Sequence, residues 1–355
     1  MTKHAQPSQT IETQPSTKCY LCGSQGALTY SNLSDRLYGV SGTWSQRRCN
    51  NNACGLVWLD PIPKEKEVWK LYEQYFTHGS SGSNKPKAPK QLRDFSSPYK
   101  RGAMGSAYGY SDLLSSPLER LFGILSRFNP MRRERIGRRI MWVRGEWRGR
   151  VLDVGCGDGG LLHRLQQLGW KGVGYELDEG GAKTARDRYG LTVYEGDTAE
   201  VGKNEELFDL VTMSHVIEHL IDPVEDLRAW SQLLKPGGRL LVATPNYDSL
   251  GRRWFSRAWL ALDPPRHIHI FNRKNLARCA EKAGLEVDFV RTSGASAKSI
   301  WRSSSLIRTE KNVTDERRAR PPAYAKFGSR PFALLDQLLA PLGYGEELIA
   351  VFRKR

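Results

Sequence analysis

The sequence predicts an α/β fold, in which a doubly wound, mostly parallel, seven-stranded sheet follows a small cysteine-rich module. Three observations carry this prediction. From Arg150 onward, short apolar segments typical of buried strands alternate with segments of helical periodicity, a pattern that indicates a parallel sheet. A glycine-rich stretch follows the first of these segments. Four of the six cysteines lie in two pairs near the N-terminus.

Each element has its own sequence signal. Asp222 can cap a helix that has Pro223 in its first turn, and Gly169 stands where a helix would end. Two further segments, 284–291 and 347–352, can complete the sheet. The five preceding strands are predicted at 151–154, 172–176, 191–194, 208–213 and 239–243.

Length and composition restrict the class of protein. A chain of 355 residues predicts two domains, and no apolar run has the length of a membrane span. The first eighteen residues are polar and lack an apolar signal segment, so we expect a cytoplasmic protein. The net charge of +16 favours anionic partners such as nucleic acid, nucleotide-linked substrates or an anionic membrane surface.

The chain divides into four predicted parts. A disordered tail covers 1–17, a cysteine module 18–60, a partly helical connecting region 61–147, and the α/β domain 148–355 with an insertion near 295–343. The connecting region contains a stretch rich in Gly, Ser, Pro and Lys, His78 to Lys90, which we expect to be flexible.

Two helices are predicted at the end of the connecting region. Leu118, Leu121, Phe122 and Leu125 recur at helical spacing in the first. In the second, an apolar stripe of Ile136, Ile140 and Val143 is surrounded by arginines. Because charge runs are usually solvated, a solvated arginine face is favoured over a surface for an anionic substrate or membrane. These arginines are Arg132, Arg133, Arg135, Arg138 and Arg139.

The glycine stretch Asp153-Val154-Gly155-Cys156-Gly157-Asp158-Gly159-Gly160 is the densest functional signal. Glycines between a strand and a helix permit a tight turn and close approach of a ligand. The glycine spacing, with Glu176 beyond it, also satisfies the dinucleotide fingerprint, so a nicotinamide enzyme is an alternative. However, Asp153 would repel a pyrophosphate, whereas it would attract a ligand with an ammonium and a sulfonium.

As a set, five motifs resemble those of class I S-adenosylmethionine-dependent methyltransferases, whose fold is Rossmann-like. The resemblance covers about residues 148–292 and agrees in order and spacing. The motifs are Leu152 to Gly159, Gly174-Tyr175-Glu176, Glu195-Gly196-Asp197-Thr198, Phe208-Asp209-Leu210-Val211 with Ser214 to His219, and Leu234 to Leu240.

This resemblance implies an S-adenosylmethionine site. Glu176 would bind the ribose, and Asp197 would meet the adenine. The implied cofactor-binding residues are Asp153, Gly155, Cys156, Gly157, Gly159, Glu176, Leu177, Asp197, Thr198, Ser214 and His215.

The sequence His215-Val216-Ile217-Glu218-His219 also matches an H-x-x-E-H zinc-peptidase pattern. That interpretation is rejected because the motif begins directly at a strand end, in the family's cofactor turn, and not within a helix. We expect His215 to line the cofactor pocket and His219 to cap or pack nearby.

The N-terminal cysteines form a metal-ligand pattern. Cys19 and Cys22, then Cys49 and Cys54, are two knuckle-like pairs, each followed by glycine, and the second is wider than usual. Four thiolates give zinc a closed, structural shell, so a zinc-ribbon-like module with one Zn²⁺ is predicted over four buried free thiols.

Acceptor-side residues are expected beyond the carboxyl ends of the fourth and fifth strands. In the segment Asp263 to Phe271, His267 and His269 alternate and would share one face of an extended chain. The segment resembles one in bacterial methyltransferases of polysaccharide and natural-product pathways, which also have an N-terminal zinc-type module. His267, His269 or His215 is a candidate catalytic base; the alternative is a structural role for both His267 and His269.

Three functions follow. A small-molecule methyltransferase, acting on a sugar, glycolipid precursor or natural product, is favoured. An RNA methyltransferase that grips phosphates with its zinc module and basic surface is the alternative, although no RNA-binding signature is evident. A non-enzymatic cofactor-binding scaffold is least favoured. Peripheral membrane contact stays open, and the sequence carries no signal for an oligomeric state.

Overall fold

A computed structural model of the chain describes residues 11–72, 95, 97–196, 198–309 and 323–355. The predicted flexible stretch His78 to Lys90 and the predicted adenine-binding Asp197 lie outside the described residues. No helix in the described ranges is long and apolar enough to cross a membrane.

The predicted seven-stranded sheet is confirmed. Its order is β12-β13-β10-β9-β6-β7-β8. The five strands from β10 to β8 are parallel, and β13 runs antiparallel between β10 and β12. The thirteen strands of the described chain are β1 Thr13–Gln14, β2 Gly26–Leu33, β3 Trp44–Cys49, β4 Val57–Asp60, β5 Ile62–Pro63, β6 Arg150–Val154, β7 Lys171–Tyr175, β8 Thr192–Tyr194, β9 Phe208–Ser214, β10 Leu234–Pro245, β11 His269–Ile270, β12 Glu286–Ser293 and β13 Glu347–Arg353.

Helices connect the strands, and their starts follow the capping signals. Asp222 accepts a hydrogen bond from the Glu225 amide, with Pro223 in the first turn, as predicted. The α-helices are α1 Pro98–Tyr108, α2 Pro117–Ser126, α3 Pro130–Arg139, α4 Gly160–Gln167, α5 Glu179–Tyr189, α6 Ala199–Asn204, α7 Pro223–Gln232, α8 Leu250–Phe255, α9 Arg273–Lys282, α10 Ala297–Arg308 and α11 Ala323–Leu339. Short 3-10 helices cover Glu65–Leu71, Ser111–Leu113, Gly145–Trp147, Ile217–His219, Ser256–Ala258, Leu260–Leu262 and Ala340–Leu342.

The N-terminal module is joined to the α/β domain through a sheet. Strands β2, β3 and β4 form an antiparallel sheet whose fourth strand, β11, comes from the α/β domain. Cys19, Leu56 and Trp58 are buried in the same apolar cluster as Ile268 and Leu276. The module therefore shares both a β-sheet and an apolar core with the larger domain.

Residues 11–17 differ from the predicted disordered tail. Strand β1 pairs with β5, and the Trp58 indole donates to the Ser16 carbonyl at 2.8 Å. The Ser16 amide in turn donates to Asp60 at 2.9 Å. These partners are distant in sequence, so the polar composition of the segment gave no sign of them.

Both helices predicted at the end of the connecting region are present. The stripe of Ile136, Ile140 and Val143 is buried, as its periodicity predicted. In α2, by contrast, Leu118, Leu121 and Leu125 are exposed. This helix instead buries Gly123 against α1, where a Cβ added to Gly102 would lie 2.3 Å from the Glu119 carbonyl oxygen.

The region predicted as an insertion contains α10 and α11, between β12 and β13. The two helices pack on each other and close an aromatic cluster of Phe255, Trp259, Trp301 and Phe332. One side of α10 faces the cleft at the carboxyl ends of the strands, through Ser299, Ile300 and Ser303.

Candidate active site

A cleft of about 1160 Å³ opens at the carboxyl ends of β6, β7 and β9. One wall is the glycine loop, in which Gly155 and Gly157 have positive φ values of 69° and 54°. A Cβ added to Gly157 would meet nothing within 4 Å. The loop therefore presents bare backbone to open space, as close approach of a ligand requires.

Glu176 fixes this loop from the end of β7. Its Oε2 accepts a hydrogen bond from the Gly157 amide at 2.7 Å, and its Oε1 accepts one from the Asp178 amide at 2.9 Å. The carboxylate thus lies at the edge of the cleft, beside the loop. Such a carboxylate can accept further hydrogen bonds from vicinal hydroxyls of a ribose.

Asp153 lies behind the loop. Its side chain is buried, and its Oδ1 accepts a hydrogen bond from the Thr212 hydroxyl at 2.7 Å. Burial raises the pKa of this carboxyl to about 7, despite the opposing hydrogen bond from Thr212. An approaching cation would favour the ionised form, so this group is suited to a positively charged ligand.

The same cleft is lined by a pair of histidines. The rings of His219 and His267 meet edge to face with centroids 4.8 Å apart. Each Nδ1 lies near a backbone carbonyl, that of Arg266 at 3.0 Å from His219 and that of Ala261 at 2.8 Å from His267. Because a carbonyl oxygen only accepts, each Nδ1 carries a proton, and in the neutral tautomer of such a ring the lone pair lies on Nε2.

The protonation of His219 is set by its surroundings. Burial, followed by the nearby His267, lowers the pKa of His219 to about 4, so this ring is neutral at physiological pH. One ligand atom each of Glu218, His219 and His267 lies within 4.8 Å of the others. Both oxygens of Glu218 are already hydrogen-bonded, to His215 at 3.2 Å and to the Thr244 hydroxyl at 2.8 Å.

Three comparisons with known proteins bear on this cleft. The profile of a family described as "Methyltransferase domain" matches residues 112–289, half of the chain. The ubiquinone biosynthesis O-methyltransferase of Dinoroseobacter shibae is 34% identical over 190 residues, which are 46% of this chain and 74% of that protein. The chain belongs to the methyltransferase family. It is an S-adenosylmethionine-dependent enzyme, as the five sequence motifs implied.

Other methyltransferases are similar over shorter or more divergent stretches. The ubiquinone biosynthesis O-methyltransferase of Bordetella avium is 31% identical over 182 residues, 46% of this chain and 72% of that protein. Among solved structures, an S-adenosylmethionine-dependent methyltransferase from Mesorhizobium loti is 19% identical, with a TM-score of 0.38, covering 58% of this chain and 90% of that one.

The predicted cofactor residues of this methyltransferase fall into two groups. Gly155, Gly157, Glu176, Ser214 and His215 line the cleft. Asp153, Cys156 and Gly159 do not line it. A Cβ added to Gly159 would lie 2.4 Å from the Leu191 side chain, and a Cβ added to Gly174 would lie 2.6 Å from the Cys156 sulfur. Gly159 and Cys156 therefore pack toward the interior of the domain. Leu177 is exposed outside the lining, and Thr198 precedes α6.

His215 is held differently from a catalytic base. It has a positive φ of 56°. Its Nδ1 lies 3.2 Å from Glu218 and its Nε2 lies 3.2 Å from Glu347. Burial works to lower the pKa of His215, but the two carboxylates outweigh it and raise the pKa to about 10. The methyltransferase therefore holds this ring as a cation with both N–H groups engaged, which opposes the predicted role in proton removal.

His267 and His269 do not share one face, contrary to the expectation from their alternation. Residues 264–266 form a turn, and the assigned strand β11 begins only at His269. His269 is buried beside Tyr20, with its Nε2 3.3 Å from the Ile221 carbonyl. Of His267 and His269, only His267 lines the cleft of the methyltransferase.

Sequence reasoning missed Arg266, which joins the N-terminal module to this wall. The guanidinium is buried and makes two hydrogen bonds to Asp35, of 2.6 and 2.9 Å, besides those to Asp263. It also stacks on Tyr38, 4.5 Å from the ring centroid. Asp35 and Arg266 are 231 residues apart in the sequence, so no local pattern reveals their pairing.

The four N-terminal cysteines converge. One sulfur each of Cys19, Cys22, Cys49 and Cys54 lies within 4.8 Å of the others, and the closest pairs are 3.3 and 3.7 Å apart. Zinc–sulfur bonds of about 2.3 Å give a tetrahedron with edges of about 3.8 Å. The donor set and spacing thus fit a zinc ion. The Gly23 and Gly55 amides donate hydrogen bonds to the Cys19 and Asn51 carbonyls, and these bonds close the turns of the two knuckles.

Proposed function

We propose that the cleft transfers the methyl group of S-adenosylmethionine to a hydroxyl of a small-molecule acceptor. The observation that carries this proposal is that the His219–His267 pair lines the same cleft as the glycine loop and Glu176. The relatives named ubiquinone biosynthesis O-methyltransferase support both an oxygen nucleophile and a small acceptor.

Cofactor binding is assigned to the loop wall. The Gly155–Gly157 backbone would receive the amino-acid part of the cofactor, Glu176 the ribose hydroxyls, and the Asp153 carboxyl would complement the positive charge from behind. Asp197 and Thr198 are proposed for the adenine side. When bound, S-adenosylmethionine supplies a methyl group on a positively charged sulfur, which leaves as a neutral thioether.

Proton removal is assigned to His267. Its Nδ1–H is bound to the Ala261 carbonyl, so its Nε2 is free to take the acceptor's hydroxyl proton. Asp263 lies 3.9 Å from that Nε2 and would stabilise the imidazolium that forms. Burial lowers the pKa of His219 to about 4, so this ring is a weak base.

The four cysteines are proposed to hold one structural zinc ion. All four positions of the ion would be filled by thiolates, which leaves none for catalysis. The ion would fix the sheet that positions β11 and Asp35, and with them the histidine wall. The module would span 18–60 and the methyltransferase domain 148–355, as the sequence predicts.

A labelling experiment tests the choice of acceptor. Full-length protein is incubated with methyl-labelled S-adenosylmethionine and either the low-molecular-weight or the RNA fraction of a cell extract. The proposal expects label in the small-molecule fraction, resistant to ribonuclease and stable as a methyl ether. Label that appears in RNA would instead establish the RNA methyltransferase alternative.

A further inference from the structure

A second cavity adjoins the cleft on the side of α3. Its volume is about 560 Å³, within the range of sites for small organic molecules. Four residues line both cavities: Arg138, Ser214, His215 and Glu347. A ligand in the second cavity would therefore reach the carboxyl end of β9 and the amino end of the antiparallel strand β13, beside the methyl-transfer site.

Cationic side chains from three helices converge on this cavity. Arg132, Arg135 and Arg139 recur at i, i+3 and i+7 on α3 and so share one helix face. The sequence favoured a solvated face for these arginines, and Arg132, Arg135 and Arg139 are indeed exposed; they also form one wall of this open cavity. The basic residues of the lining are Lys100 of α1, Arg132, Arg135, Arg138 and Arg139 of α3, and Arg164 of α4.

The acidic complement of the lining is small. Within the described part of the chain, Glu347 is its single carboxylate. That group already faces Arg138 at 3.2 Å and His215 at 3.2 Å. Among the described residues of the lining, six basic side chains thus accompany one carboxylate that already has two cationic neighbours. Concave walls focus the field of such an excess of positive charge on a ligand that enters.

We propose that this cavity binds a phosphoryl group of the acceptor, so that the substrate is a phosphate- or diphosphate-bearing small molecule. The inference rests on the proposed function and names its substrate class. Arginine forks match the oxygens of a phosphoryl group through paired, charge-assisted hydrogen bonds. A single carboxylate on the acceptor would need one arginine, whereas a diphosphate uses several.

Calorimetry of the full-length protein tests the site with inorganic pyrophosphate as the probe. Wild-type protein, saturated with S-adenosylhomocysteine, is expected to bind pyrophosphate with a 1:1 stoichiometry. The double variant R132Q/R135Q should bind it at least about tenfold more weakly, because it removes two forks that do not line the cofactor cleft. In the double variant, pyrophosphate binding could also weaken because Arg132 no longer stacks on Tyr99. The single variant Arg135→Gln keeps that contact and so isolates the loss of one guanidinium from the cavity.

The matched control is R120Q/R127Q, which removes the same charge from exposed positions of the α2 region outside the lining. The control should bind pyrophosphate as the wild type does. No saturable binding by the wild type, or an equal loss in the control, would overturn the inference. Cofactor affinity is measured separately in each protein; a failure there counts against the proposed function and not against this cavity.

The source of the phosphoryl group is decided with two further probes, a nucleoside diphosphate and farnesyl diphosphate. Tighter binding of either one than of pyrophosphate, by about tenfold, supports the assignment and identifies a nucleotide-linked or a lipid-linked acceptor. If neither organic diphosphate binds more tightly than pyrophosphate, the cavity is an anion site only and the acceptor assignment fails.

Discussion

His219 and His267 face each other across 4.8 Å, and each is anchored through Nδ1 to a backbone carbonyl of the same 261–266 segment. The anchoring fixes the tautomer of both rings and directs each Nε2 away from the carbonyl. A base in a methyltransferase needs an imidazole that is neutral and oriented before the acceptor arrives. The bonds to the two carbonyls orient both rings, and the low pKa of His219 keeps that ring neutral.

His267→Ala is expected to lower turnover by roughly a hundred- to ten-thousand-fold at saturating acceptor, because it removes the general base. Cofactor affinity should stay unchanged, since the polar and ring contacts of His267 among the described residues are with Ala261, Asp263 and His219 and not with the glycine loop or Glu176. Steady-state kinetics with calorimetry of the cofactor checks both parts. Added Mg²⁺ or Mn²⁺ is expected not to raise turnover; a requirement for either ion would place a metal, rather than the free imidazole, at Glu218, His219 and His267.

His215 makes a prediction about pH. Its pKa in the folded protein is about 10, above the ordinary value of about 6.5. The proton it gains therefore stabilises the fold fully below pH ~6.5, and that stabilisation is lost as the pH rises through about 10. His215→Gln should lower the melting temperature at pH 6 by at least about 2 °C, because buried Glu218 loses its paired cation and buried Glu347 keeps only Arg138.

The difference between wild type and His215→Gln should narrow as the pH rises from about 6.5 to about 10. Thermal unfolding over a pH series measures it. His163→Gln is the control, because His163 stacks on Tyr189 away from these carboxylates. A difference between wild type and His215→Gln that is constant with pH would show that His215 is not held as a cation.

Purified protein is expected to contain one zinc ion per chain. A thiolate shell contributes on the order of 10 kcal/mol to folding of such a module, so a chelator should lower the melting temperature and Cys22→Ser should lose the metal. Cys279→Ser tests specificity, because Cys279 is buried outside the cluster. Wild-type protein that contains no metal and has an unchanged melting temperature would contradict the structural zinc site.

The sequence predicted the parts of the fold that depend on local pattern. Strand β6, its glycine loop and the helix after it are encoded within some eighteen residues, 150–167, and the two cysteine knuckles are similarly local. By contrast, the pairing of β11 with β4, the ion pair of Asp35 with Arg266 and the contact of His215 with Glu347 join segments far apart in the chain. Such contacts follow from packing and leave no periodic signal.

The predicted catalytic residues illustrate the same limit. The alternation of His267 and His269 indicated a shared face, but the strand begins too late for that rule to apply. His219 was expected to cap or pack, and it lines the cleft because the 3-10 helix Ile217–His219 turns its ring toward His267. The local backbone of these segments, which the sequence pattern does not specify, determines that His219 and His267 line the cleft.

The central claim, that the glycine loop binds S-adenosylmethionine, is tested most directly by calorimetry of Gly157→Val beside Gly190→Val. Both glycines have positive φ, 54° and 66°, and a Cβ at either meets nothing within 4 Å, so both variants carry a similar backbone strain of about 1–2 kcal/mol. Only Gly157 lines the cleft. We predict that Gly157→Val weakens cofactor binding by at least about tenfold, a loss of ~1.4 kcal/mol, while Gly190→Val binds as the wild type does. Equal cofactor affinity in the wild type and Gly157→Val would contradict the assignment.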